Sequence, residues 1–201
     1  MSIVQKAAKY ATHMHYQQFR KAIPIPYVTH CFEVMKLVST YTKDEEIWAA
    51  ALLHDTIEDT PTEYSHIKDM FGERIADMVR DCTREGGDDV SKQAKWDFLA
   101  SFSGKPLDSI LIKIADRHVN VADFKRTGKK TYYSTYALQG LPVYEAYKYA
   151  SPASFPEKID TKAVDDSLQF LSRCIFENIT IRGVNNDLYK IPIGEAMGLC
   201  L

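Results

Sequence analysis

Ile47-Trp48-Ala49-Ala50-Ala51-Leu52-Leu53 is apolar on every side of a helix, and it runs without a break into His54-Asp55. A helix of that kind must be surrounded by other elements, so it belongs at the centre of a fold built around it. Asp44 can cap its start and Pro61 must end the segment, which predicts one helix from Glu45 to about Glu58. A histidine and a carboxylate closing such a helix need a partner. Burying an unpaired charge is costly, and a metal ion removes that cost. Glu58 lies four residues after His54 and three after Asp55, and Asp59 lies four after Asp55. A continuous helix therefore presents all four on one face.

The rest of the chain reads as further helices. Ser2 and Gln5 have capping-box spacing, and Ile3, Ala7, Tyr10, Ala11 and Met14 recur at helical period, predicting a helix over about 3–19. Ile23-Pro24-Ile25-Pro26 cannot continue it. A second helix is expected over Thr29–Tyr41. A short one opens at Thr62, another runs from beyond Gly72 to about Thr83, and others cover about 90–102, 107–125 and 161–177. The tyrosine-rich stretch 127–157 is expected as short helices and loops, packed as an insertion on the helical core. In the 178–201 tail, Ile179-Thr180-Ile181 and Tyr189-Lys190-Ile191 flank Asn185-Asn186-Asp187 and suggest a small hairpin. The expected class is all-α: a helical bundle forming a single domain over 1–201, with that C-terminal hairpin as its one β feature. Trp48 and Trp96 are expected as core anchors. Gly86 to Asp89 reads as a mobile acidic loop near the site.

A net charge of −2 argues against binding nucleic acid or anionic lipid through bulk electrostatics, so a polyanionic ligand must be held by local charge or a metal. No stretch is apolar enough to span a bilayer, and the N-terminus lacks a signal-peptide pattern. Cys31, Cys82, Cys174 and Cys200 lack CxxC spacing and read as isolated thiols, so a cytoplasmic location is expected.

Two distant residues complete the charged pair. His30 sits early in the second helix and offers another imidazole. Asp116 is a lone acid within Ile110-Leu111-Ile112-Lys113-Ile114-Ala115, about sixty residues beyond Asp55, and its helix puts Lys113, Asp116 and Asn120 on one face. Two imidazoles and two carboxylates leave room around an octahedral ion for water and a substrate oxygen. Such mixed N/O ligands suit Mn²⁺, with Zn²⁺, Fe²⁺ or Co²⁺ able to occupy the same site. His13, His66 and His118 fall outside this pattern. Arg20 can make bidentate phosphate contacts or stack on a base, and Lys21 adds a point charge.

The His…His-Asp…Asp order is that of the HD superfamily. More specific stretches are His15-Tyr16-Gln17-Gln18-Phe19-Arg20-Lys21, Pro26-Tyr27-Val28-Thr29-His30, Leu53-His54-Asp55-Thr56-Ile57-Glu58-Asp59-Thr60, Phe71-Gly72 and Lys113-Ile114-Ala115-Asp116-Arg117, closing with Asn120. Over roughly residues 3–125 the sequence resembles the hydrolase domain of the RelA/SpoT alarmone family, most closely its single-domain, Mesh1-like branch. The resemblance implies His30, His54, Asp55 and Asp116 as metal ligands and Glu58 and Asp59 as the pair handling the attacking water. It implies Arg20, Lys21, Lys113 and Asn120 as substrate-binding residues. The implied reaction removes the 3′-pyrophosphate of ppGpp or pppGpp. Cys31 stands where the family usually has proline, and Ala122 where it commonly has arginine. HD phosphohydrolases acting on ordinary dNTP or dNMP share the same ligands and are the alternative; Arg20-Lys21 and Glu58-Asp59 favour the alarmone. A silent nucleotide sensor is a third reading, disfavoured because no ligand is missing.

Overall fold

The computed structural model describes residues 1–21, 23–86, 90–150 and 159–181. Among them the regular structure is helical, with isolated bridges Phe19–Pro26 and Thr42–Ile159 in place of a sheet. The central helix is α3 (Glu45–Leu53), whose Asp44 cap accepts from the Glu46 amide. It packs between α1 (Ile3–Met14), α2 (Val28–Tyr41), α6 (Glu73–Cys82) and α8 (Leu107–Arg126). Ile47 and Ala49 to Leu53 are buried, as an all-apolar helix requires.

The helix predicted to reach Glu58 stops at Leu53, and a separate turn, α4 (Thr56–Asp59), follows. Side chains cause the break. His54 Nδ1 lies 2.8 Å from the Ala51 carbonyl and Thr56 Oγ1 donates to Leu53 O, both drawing off acceptors of the helical ladder. Helix α1 is also shorter than predicted, because Gln17 adopts φ 64° and turns the chain. The following loop is tied back on itself: Arg20 N donates to Ile25 O and Tyr27 N to Gln18 O. This holds Arg20 and Lys21 beside the start of α2.

Helices α5 (Tyr64–Phe71) and α6 meet at Gly72, whose φ of 92° favours glycine. Helix α7 (Lys92–Ala100) leads through a 3-10 turn (Ser101–Gly104) into α8, the longest helix on the site. The tyrosine-rich stretch supplies α9 (Lys130–Gln139) and α10 (Leu141–Tyr149), which pack on α8; residues 151–158 lie outside the described part. Helix α11 (Thr161–Ile181) packs on α9, α8 and α2.

Two expectations are corrected. Ile179-Thr180-Ile181 continues α11 instead of forming a strand; the proposed partner strand, 189–191, lies outside the described residues. Trp48 is half-buried with Nε1 donating to Thr42 O, but Trp96 is 42% exposed and anchors no core. Leu99, one turn further along α7, is the buried residue of that helix. Cys31, Cys82 and Cys174 are free and buried, while Cys200 lies outside the described residues.

Candidate metal centre and cleft

Three helical segments bring the four charged candidates together. His30 comes from α2, His54 and Asp55 from the end of α3, and Asp116 from the middle of α8. His54 Nε2 lies 2.9 Å from Asp55 Oδ2 and 3.9 Å from Asp116 Oδ1. His30 Nε2 lies 3.6 and 3.3 Å from the same two oxygens. All four residues are buried. A carbonyl only accepts, so His54 Nδ1 carries a proton towards Ala51 O and its Nε2 faces the carboxylates. Neither imidazole Nε2 makes an aligned hydrogen bond. The two orphaned nitrogens and an Asp116 oxygen lie within 4.8 Å of one another, a set of three donors that fits a divalent cation, while Asp55 Oδ2 lies against both imidazoles.

The electrostatics say the same. Burial disfavours charge on His54, yet the adjacent Asp55 and Asp116 raise it to about 10, so this pocket recruits positive charge. Burial also opposes ionisation of Asp55 and Asp116. The neighbouring cationic groups, His54 for Asp55 and Lys113 for Asp116, nevertheless hold both well below the usual carboxylate range.

Each carboxylate is braced from outside. Tyr27 donates its hydroxyl to Asp55 Oδ2 at 2.6 Å, and burial followed by the nearness of Asp55 pushes this phenol far up, keeping it a donor. Lys113 Nζ lies 2.9 Å from Asp116 Oδ2, and the Asn120 amide donates to Asp116 Oδ1. Lys113 and Asn120, expected at the substrate, both line the cleft but spend these contacts on Asp116.

The centre opens into a cleft of about 1070 Å³, lined also by Glu58, Asp59, Arg20 and Lys21. Glu58 is held at both oxygens: Arg84 Nη2 donates to Oε1 at 2.8 Å and the Arg84 backbone N–H to Oε2 at 2.9 Å. With the helix broken at His54, Glu58 faces Arg84 instead of stacking beneath the ligands. Gln18 bridges this region, its Nε2 donating to Asp59 O while its Oε1 accepts from buried His15. Arg20 is buried, with Nη1 2.6 Å from Asp123 Oδ2 and 3.1 Å from Glu33 Oε2. Lys21 is exposed on the same wall.

Tyr132 and Tyr136 of α9 stand on the cleft wall with Phe124, whereas Tyr133 is buried and donates to Glu177. His13 is exposed, and His66 accepts the Glu63 amide at the start of α5. His118 stacks on Phe170 at 4.3 Å, where burial lowers it to about 4. Tyr27, Arg84 and Asp123 escaped the sequence reading. Asp123 alone carried a signal, lying seven residues after Asp116 on the same face of α8.

An HD-domain family model matches residues 7–146. The chain is 36% identical over 120 residues to a guanosine-3′,5′-bis(diphosphate) 3′-pyrophosphohydrolase of Aquifex aeolicus, a match covering 59% of this chain and 17% of that protein. It is 32% identical over 134 residues to the MESH1 3′-pyrophosphohydrolase of Xenopus tropicalis, covering 62% of this chain and 71% of the relative. The fold matches a solved metazoan ortholog of SpoT with a TM-score of 0.71 at 24% identity, over 86% of this chain and 95% of the other. The chain spans only about a sixth of the Aquifex protein but most of MESH1. With 140 consecutive positions under the family model, the chain belongs to the HD-domain family, in the group that includes the single-domain MESH1 proteins.

Proposed function

We propose that this chain hydrolyses the 3′-pyrophosphate of guanosine alarmones, converting ppGpp or pppGpp to GDP or GTP and pyrophosphate. The observation that carries this reading is the convergence of His30, His54, Asp55 and Asp116, with both imidazole Nε2 atoms unpartnered, at one end of a cation-lined cleft. The names of the Aquifex and Xenopus relatives favour the alarmone as substrate. In this reading the four residues hold one divalent cation, Mn²⁺ by the mixed N/O character of the donors. When bound, that ion supplies charge neutralisation at the phosphoryl oxygens and acidifies water.

The chain's own residues do the rest. Tyr27, Lys113 and Asn120 keep both ligand carboxylates ionised and oriented. Water adds to the phosphorus attached to O3′, the O3′–P bond breaks, and O3′ leaves with a proton. Glu58 and Asp59 accept the water's proton and pass it on, with Arg84 fixing the Glu58 carboxylate. Arg20 and Lys21 face the nucleotide and its phosphates. No described helix is long and apolar enough to cross a membrane, and we place this small-molecule enzyme in the cytoplasm, acting on free nucleotide and not on nucleic acid.

The test is product identification with purified protein and Mn²⁺ on ppGpp, GTP, dATP and dGMP. Pyrophosphate from ppGpp alone is expected. Phosphate or triphosphate released from the ordinary nucleotides would instead assign a (deoxy)nucleotide phosphohydrolase.

A further inference from the structure

Several cations lining the cleft are already committed. Arg20 is shared by Asp123 and Glu33, Arg84 is taken by Glu58, and Lys113 by Asp116. These pairs are close to neutral, so they add little net attraction for an anion. Lys92 and Lys95 differ. They lie three residues apart on one face of α7, line the cleft, and have no carboxylate partner among the described residues. Phe98 and Leu99, further along the helix, line the cleft too, while Trp96 lines a separate groove. Both lysines thus stand at the cleft. In a chain with 27 acids against 25 bases, adjacent unpaired lysines in a concave surface mark a local demand for negative charge.

An alarmone carries two phosphate arms. The 3′ arm reacts at the His/Asp centre, and the 5′ arm needs its own counter-charge. We propose that Lys92 and Lys95 form the subsite for the 5′-polyphosphate arm, making the enzyme sensitive to the length of that arm. This rests on the alarmone reading above. Lysine suits the task because a flexible point charge can follow a phosphate chain of two or three groups without demanding one geometry. The pair lies on a helix distinct from those carrying the ligands, so arm length can alter binding while leaving the reacting centre in place.

The experiment compares wild type, Lys92→Gln/Lys95→Gln and Lys92→Arg/Lys95→Arg with Mn²⁺ on pppGpp, ppGpp and the 5′-monophosphate pGpp. Wild type that releases no pyrophosphate from any of them refutes the alarmone reading itself. Given turnover, wild-type KM is expected to fall as the arm lengthens. The glutamine pair should raise KM about tenfold for pppGpp, less for ppGpp and least for pGpp, with the arginine pair restoring most of the difference. Competition by GTP and GMP gives a readout independent of turnover: the glutamine pair should erase the preference for GTP. Equal KM changes across the three substrates, no change, or an intact GTP preference would each overturn the subsite.

Discussion

Replacing Asp123 by alanine tests the tightest ion pair in the cleft wall. The Arg20 and Asp123 side chains are only 3% and 5% exposed, and their closest atoms are 2.6 Å apart. Arg20 Nε and Nη2 already lack protein partners, so removing Asp123 strands a buried guanidinium. Breaking a buried pair from one side costs about 3–5 kcal/mol. Glu33 remains 3.1 Å from Nη1, but its side chain is 40% exposed and recovers at most about 1 kcal/mol. The expected loss is therefore about 3 kcal/mol. For a chain of this length that lowers Tm by about 6–12 °C. Urea and thermal melts measure it. Removing both charges with apolar residues of similar volume, Arg20→Met with Asp123→Leu, should return stability to within about 1 kcal/mol of wild type. Were Asp123→Ala within 1 kcal/mol of wild type, or the double variant worse than the sum of the single ones, the assignment of the pair as a buried, desolvated contact would be wrong.

Other outcomes follow from the centre and its loop. His54 is raised from its ordinary 6.5 to about 10, so the metal-free fold gains stability from its proton below pH 6.5 and loses that gain as pH rises through 10. Divalent ions must displace this proton, so Mn²⁺ affinity should rise by up to about tenfold per pH unit across that window, with close to one proton released at pH 8. Calorimetry in buffers of different ionisation enthalpy reads the count, and zero release contradicts the geometry. Glu58→Gln keeps the shape but not the basicity of the side chain. It should lower kcat by roughly 10²–10⁴ while melting near wild type, and unchanged turnover removes Glu58 from the chemistry. Gln17 is exposed at φ 64°, so Gln17→Gly should stabilise by up to about 1 kcal/mol in a urea titration; a clear loss would show that its side chain matters.

The burial of His54, Asp55 and Asp116 was legible because these are polar residues at the end of or inside apolar runs. His54-Asp55 ends an all-apolar helix and Asp116 interrupts Ile110 to Ala115, so burial was implied before any coordinates. The residues that brace them were not legible, because nothing local marks them. Tyr27 reaches Asp55 across 28 positions, Arg84 reaches Glu58 across 26, and Asp123 reaches Arg20 across 103. Each looks like an ordinary surface or loop residue until the helices are packed.

The break at His54 shows the same limit in the opposite direction. Hydrophobic period alone continues the helix to Glu58, and it takes no account of an imidazole and a threonine hydroxyl competing for the carbonyls of Ala51 and Leu53. That competition has a chemical consequence. A continuous helix would put Glu58 one turn beyond His54, where its charge adds to that of the ligand carboxylates. The break turns Glu58 to Arg84 instead, where two donors hold it in the cleft and a guanidinium offsets its charge. In the proposed reaction this leaves two carboxylates for the ion and a separately supported one for protons. That separation of duties depends on the kink between α3 and α4, and the identity of the residues alone does not disclose it.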